Sequence, residues 1–187
     1  MVPLLDLWLP ILLSAVFVFV VSSVVHMVLP LHKSDCAPMK GEEEILAAIR
    51  KHGNAQGQYM FPHAPSMKEM GSPEMLAKFQ RGPVGNLTLR PNGVPAIGKA
   101  LGQWFVLTLV IGACVAYIAG LGLARGAEAM LVFRAASAVA LVGYGASPVM
   151  ESIWKGVPWS TTAKFLFDGV LYALATGAAF AWLWPAA

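Results

Sequence analysis

Two residues able to do chemistry stand where a membrane-spanning stretch least tolerates them. His26 lies near the end of an apolar run that carries no formal charge from Leu7 onward, and Asp168 interrupts another, Phe165 to Ala187. An imidazole beside a carboxylate can relay a proton or bind a head group. A charge at the centre of a span costs about 2.5–3.5 kcal/mol on insertion scales, so Asp168 should face protein and find a partner. If both runs are helices, His26 sits about a turn inside the end of the first, and Asp168 about a turn inside the start of the last. Both ends then lie on the side that carries residues 30–99. Ser22, Ser23, Gln103, Tyr144, Ser147 and Glu151 fall at the same level, which makes His26, Asp168, Glu151, Tyr144, Gln103 and Ser22 the candidate polar pocket. A plainer reading stands beside it. Lys164 and Asp168 are four apart on one helix face and would pair there for only about 0.3–0.5 kcal/mol, while His26 caps the first helix.

A second constellation is soft. Cys36, Met39, Met60, His63, Met67, Met70 and Met75 recur after His26 and His32. Thiolate, thioether and imidazole together suit Cu(I), with Cys36, His63, Met60 and Met67 as the candidates. Their spacing matches no established ligand pattern, and methionines on short helices serve equally as packing residues. No metal or cofactor is assigned on this ground. Catalytic motifs are missing: there is no P-loop, GxGxxG, HExxH or GxSxG, so no catalytic residue is named and a non-enzymatic protein is expected. Cys36 lies in a polar segment and Cys114 in an apolar run, with no CxxC and no disulfide framework.

The elements that must position these groups follow from composition. The chain has 187 residues, 57% hydrophobic and 12% charged; soluble domains run at roughly 45–50% and about 25%. Mean hydropathy is +0.64, which excludes disorder and argues against a soluble single core. Four apolar stretches, residues 4–29, 100–124, 129–150 and 163–185, can each cross about 30 Å of hydrocarbon at roughly 1.5 Å per residue. Backbone groups in lipid must be satisfied internally, so each should be a helix, and the alternating strands of a barrel are absent. The expected fold is an all-α membrane protein of four transmembrane helices, with an amphipathic, mainly α extramembrane insertion of residues 30–99 between the first two. The first run is preceded only by the charge of Asp6 and exceeds the roughly 7–15 residues of a signal-peptide core, so a retained helix is expected.

Charge sets the expected orientation. Net charge is +3, and residues 30–99 hold nine Lys/Arg against six Asp/Glu, the whole of the excess. These basic residues are scattered singly among acids, which argues against a nucleic-acid partner. Lys33, Lys40, Arg81, Arg90, Lys99, Lys155 and Lys164 flank one side of the runs; Arg125 and Arg134 flank the other. The positive-inside bias therefore predicts a cytoplasmic 30–99 segment and both termini outside. Asn86-Leu87-Thr88 matches a glycosylation sequon that such a placement leaves unused. Trp8, Trp104, Trp154, Trp159, Trp182 and Trp184 lie near run ends, as interfacial anchors do.

Small residues mark helix contacts. Thr108, Gly112, Ala116 and Gly120 form one row at four-residue spacing; Gly169, Ala173, Gly177 and Ala181 form another. Such rows let backbones approach closely in lipid, and the second and fourth helices are expected to pack together, with a homodimer face as the alternative. In the polar segment, Glu42 to His52 reads as a helix stopped by Gly53. Ser72-Pro73-Glu74 opens another, with Leu76 and Phe79 turned inward and Gly82 closing it. Leu87-Thr88-Leu89, ending at Pro91-Asn92-Gly93, reads as a strand and turn. So few apolar residues cannot hold this piece together alone, so it should lie on the bilayer or on a partner.

Leu29-Pro30-Leu31-His32-Lys33-Ser34-Asp35 is followed by Gly82-Pro83-Val84-Gly85-Asn86-Leu87-Thr88. Further on come Ser152-Ile153-Trp154-Lys155-Gly156-Val157-Pro158-Trp159, Asp168-Gly169-Val170-Leu171-Tyr172-Ala173 and Trp182-Leu183-Trp184-Pro185. Together these stretches resemble a group of small bacterial four-helix integral membrane proteins with no known activity. The resemblance covers nearly the whole chain and implies the bacterial inner membrane; it implies no substrate, cofactor or site. The leading functional expectation is an accessory or scaffold subunit with a protein partner or a second copy. The alternatives are a small oligomeric transporter or channel-like component built on His26 and Asp168, and copper handling. A lipid-acting enzyme is the least supported class.

Overall fold

The computed structural model describes residues 1–53 and 55–187. The chain is mostly helical, and four of its helical stretches are long and apolar enough to cross a membrane: Leu4–Val28, Ile97–Gly122, Ala129–Lys155 and Trp159–Leu183. It divides into two compact units, Met1–Asp35 with Ala96–Ala187, and Cys36–Pro95.

The first unit is a four-helix bundle of α1 (Trp8–Ser23), α5 (Ile97–Gly122), α6 (Ala129–Lys155) and α7 (Trp159–Leu183). Short connections make α5, α6 and α7 successively antiparallel, α1 runs antiparallel to α5 with Val2 at Gly120 and Ser22 at Trp104, and α7 closes the ring by packing on α1. The resulting order is α1, α5, α6, α7 around the bundle, so α5 and α7 stand on a diagonal. That geometry corrects the expected pairing of the second and fourth helices. The small residues of α5 serve α1: a Cβ at Gly112 would lie 3.1 Å from Ser14 Oγ, and one at Gly120 would lie 2.6 Å from the Val2 carbonyl oxygen. The small residues of α7 serve α6: Gly169 faces the Gly145 backbone, and Gly177 faces Ser137 and the Phe133 carbonyl. Ala116 and Ala173 are buried in the core with Val115, Val132, Ala136, Ala140 and Phe180.

At one end of the bundle the Val2 amide donates to the Gly120 carbonyl, the Gly126 amide to Pro185, and Trp184 Nε1 to Ala124. Asp6 and Arg125 form an ion pair there. At the other end α6 runs past Met150 to Lys155, where Gly156 takes the left-handed conformation (φ 70°) that ends it. Pro148 lies inside α6 and removes an amide from its hydrogen-bond ladder. Trp8, Trp154, Trp159 and Trp182 are exposed at helix ends. Trp104 differs from the anchor expectation, because it packs against Tyr144 and Tyr172.

The second unit contains α2 (Glu42–Lys51), β1 (Gly57–Phe61), α3 (Met67–Met70), α4 (Pro73–Arg81) and β2 (Gly85–Leu89). Three glutamates open α2, and Arg50 and Lys51 close it, each sign opposing the dipole at its own end. Ser72 caps α4 by accepting from the Met75 amide, and Pro73 follows at the first helical position. The inward face of α4 differs from expectation. Met75 is buried and Phe79 partly so, whereas Leu76 is exposed, because residues four apart share a face and Leu76 lies off it. β2 pairs antiparallel with β1, Gly57 opposite Leu89 and Phe61 opposite Gly85. The Phe61 ring covers Gly85, where a Cβ would lie 3.1 Å from it.

The close α6–α7 approach yields a first prediction. Gly177→Leu forces backbones apart and should destabilise the detergent-solubilised protein by about 1–3 kcal/mol, the usual range for overpacking. Gly122→Leu, where a Cβ meets open space, should stay within about 0.5 kcal/mol of wild type in the same thermal unfolding measurement.

Candidate functional site

The site begins where α1 ends. From Val24 to Val28 the helix widens into a π-helical turn that carries His26. Leu29 precedes a proline and is extended (φ −78°, ψ 144°), which terminates the helix. Pro30 then starts a single 3-10 turn, Pro30–His32, with the Lys33 amide donating to the Pro30 carbonyl and the Asp35 amide to His32. This reversal lays the His32 ring on the His26 ring, centroids 4.1 Å apart and 23° from parallel. Phe165 of α7 supports the pair, 5.0 Å from His32 and 6.1 Å from His26.

Asp168 lies on α7 nearly a turn beyond Phe165 and meets both rings. Its Oδ2 is 2.9 Å from His32 Nε2 and 3.4 Å from His26 Nε2. The residue is 1% exposed. These are ion-pair distances without hydrogen-bond alignment: neither Asp168 oxygen and not His32 Nε2 has a hydrogen-bond partner. Behind His32, its Nδ1 lies 2.6 Å from Asp35 Oδ2. Asp35 Oδ1 in turn accepts from Lys164 Nζ at 2.7 Å, and Lys164 also donates to Ser34 Oγ at 2.8 Å. Burial pushes the Asp35 carboxyl up. The hydrogen bonds and charges of Lys164 and His32 outweigh burial and hold it below the usual carboxylate range. The Asp35 contact calls for a His32 proton on Nδ1.

His26 and Asp168 also line a cleft of about 340 Å³ among all four helices. Ser22, Trp104, Tyr144, Pro148, Phe165 and Tyr172 are among its walls. Trp104 Nε1 donates to Ser22 Oγ at 2.9 Å, and Ser22 donates to the Phe19 carbonyl. Trp104, Tyr144 and Tyr172 form a triangle of rings with centroids 5.5–6.1 Å apart. The buried Tyr172 hydroxyl has no hydrogen-bond partner.

The candidate residues therefore divide. His26, Asp168, Ser22 and Tyr144 converge on the cleft. Gln103 does not, because its position on α5 is exposed. Glu151 does not either: it pairs with Lys155 at 2.8 Å, one turn along α6. The expected Lys164–Asp168 pair is also corrected, since Lys164 turns to Asp35. The copper candidates Cys36, Met60, His63 and Met67 are all exposed. Among the described residues, the group of His, Cys and carboxylate side chains close enough to share a metal ion is His26, His32 and Asp168, whose ligand atoms lie within 4.8 Å of one another. His32 and Asp35 were absent from the predicted pocket. The signal that could have found them is the proline directly after the span, which turns the following residues back toward the helix end. No family model, curated protein or solved structure matches the chain.

The Asp35 bridge yields a second prediction. Asp35→Ala strands the Lys164 ammonium and the His32 N–H together and should cost about 1–3 kcal/mol of stability. Lys164→Met should cost less, and the double variant less than the sum of the two. Thermal unfolding of the four proteins in detergent measures that coupling, and strict additivity would show that the groups do not interact.

Proposed function

We propose that the chain is a multi-pass protein of the bacterial inner membrane whose working part is a small-cation site at His26, His32 and Asp168. One observation carries the reading: a buried carboxylate with both oxygens free of hydrogen bonds faces two imidazole nitrogens at 2.9 and 3.4 Å. A subunit that only fills space gains nothing from such a group, because an ionisable residue within a span is costly unless it is used. The Lys/Arg bias supports a cytoplasmic 30–99 segment, lying as an insertion outside the bilayer, with both termini on the far side. The site then opens toward the cytoplasmic surface. Four helices enclose a cleft rather than a conduit, so the reading includes assembly with a second copy or a protein partner as a small transport component.

An accessory role is the second reading. It is favoured by the apolar side chains that the 36–95 unit exposes, Met67, Leu76, Val84 and Val94 among them. The two readings separate in reconstituted vesicles containing a pH-sensitive dye or a divalent-cation dye. The cation-site reading expects dye responses in wild type that fall at least about tenfold in Asp168→Asn, as loss of a functional intramembrane charge should. Equal responses in wild type and Asp168→Asn would remove Asp168 from any path and leave the accessory role.

A further inference from the structure

We propose that His26 Nε2, His32 Nε2 and the Asp168 carboxylate bind one divalent transition-metal ion of the zinc class, with Asp35 orienting His32 from behind. This inference rests on the cation-site reading and names the cation.

The geometry comes first. Two ligands on a tetrahedral zinc, at bond lengths of about 2.0–2.2 Å, lie roughly 3.3–3.5 Å apart. The Asp168 Oδ2 separation of 3.4 Å to His26 falls in that range and that of 2.9 Å to His32 a few tenths below it, and all three ligand atoms fall within 4.8 Å. The donors come from two chain segments far apart in sequence, the end of the first span and the start of the last, so binding would tie α1 to α7.

Donor chemistry narrows the ion. Two imidazoles and a carboxylate suit zinc and its first-row neighbours. Calcium and magnesium take oxygen ligands, and Cu(I) favours sulfur, which this group lacks. The residues behind the donors support the same assignment. A metal-binding histidine characteristically gives its other ring N–H to a carboxylate, which fixes the tautomer and the ring plane. His32 does so through the 2.6 Å contact with Asp35, and Lys164 holds Asp35 in place at 2.7 Å. The unpartnered atoms point the same way: His32 Nε2 and both Asp168 oxygens are buried without hydrogen bonds. An incoming cation would satisfy all three at once. Three protein ligands leave a fourth position, and the cleft beside Asp168 has room for water or an exchanging ligand there. Structural zinc sites are closed by four protein ligands, so this one is of the exchangeable type.

The test uses the full-length chain in mild detergent, stripped with chelator, carrying no affinity tag and verified as folded by helical circular dichroism. Titration with Zn²⁺ alone should give one ion per chain. Co²⁺ should give the intense visible bands of a four-coordinate site, bleached by added Zn²⁺. His26→Ala, His32→Ala and Asp168→Asn should each lose the cobalt bands and lower zinc affinity at least tenfold. Asp35→Asn should weaken zinc binding by about 10–100-fold, as loss of an outer carboxylate does. The Cys36→Ser, His63→Ala double variant should bind as wild type does, because both residues are exposed and outside the group. If one of the four site variants does not fold, His32→Gln takes its place. Stoichiometry and cobalt spectrum unchanged in the site variants would overturn the assignment. Absence of zinc and cobalt binding in wild type would overturn it too. If Asp168-dependent proton responses persisted in vesicles, the broader cation-site reading would survive that result; if they were also absent, both would fall.

Discussion

A carboxylate buried inside a four-helix bundle has to be answered by polar partners, and most of the local structure around Asp168 supplies them. The nearest basic residue on its own helix, Lys164, is a turn away and points elsewhere. The partners come instead from the other end of the chain, because Pro30 halts the first helix and folds His32 back over His26. Lys164 contributes indirectly, by neutralising the Asp35 that holds His32. The array thus alternates nitrogen groups with carboxylates: ammonium, carboxylate, imidazole, carboxylate. Such alternation lets several ionisable groups share a partly buried site that none would tolerate alone.

The bundle serves this array through close backbone contact. Gly169, next to Asp168, lies against the Gly145 backbone of α6, and Gly177 repeats the contact further along. Gly112 lets α1 approach α5 in the same way. These small residues set how near the rings of Tyr144 and Tyr172 come to one another and to Trp104. Pro148 weakens the ladder of α6 beside the same cleft. Local softness and dense packing therefore meet at one level of the bundle.

The four long helices were legible because each is a run of apolar residues with a single physical solution in hydrocarbon. His26 and Asp168 stood out because ionisable residues in such runs are rare. Their neighbours were harder to read. Level along a helix can be counted from sequence, but rotation about its axis depends on which helices are adjacent. Gln103 and Glu151 therefore fell on other faces. The diagonal placement of α5 and α7 was hidden for the same reason: a small-residue row says that something packs there and not what. His32 lay beyond the span and looked like one histidine of a scattered polar segment. Only the turn at Leu29-Pro30 gives it a site. β1 was hidden because Gly57–Phe61 shows little alternation and takes its strand form from pairing with β2.

One measurement reaches the centre of this account: X-ray absorption at the zinc edge of the wild-type chain loaded with one equivalent of zinc. The expected spectrum has a first shell of nitrogen and oxygen at about 2.0–2.1 Å, with the outer-shell scattering of two imidazoles and no sulfur. A sulfur shell near roughly 2.3 Å would move the metal to cysteine. A spectrum of hydrated zinc without imidazole scattering would leave the paired histidines and Asp168 as packing alone. Either result would contradict the site described above.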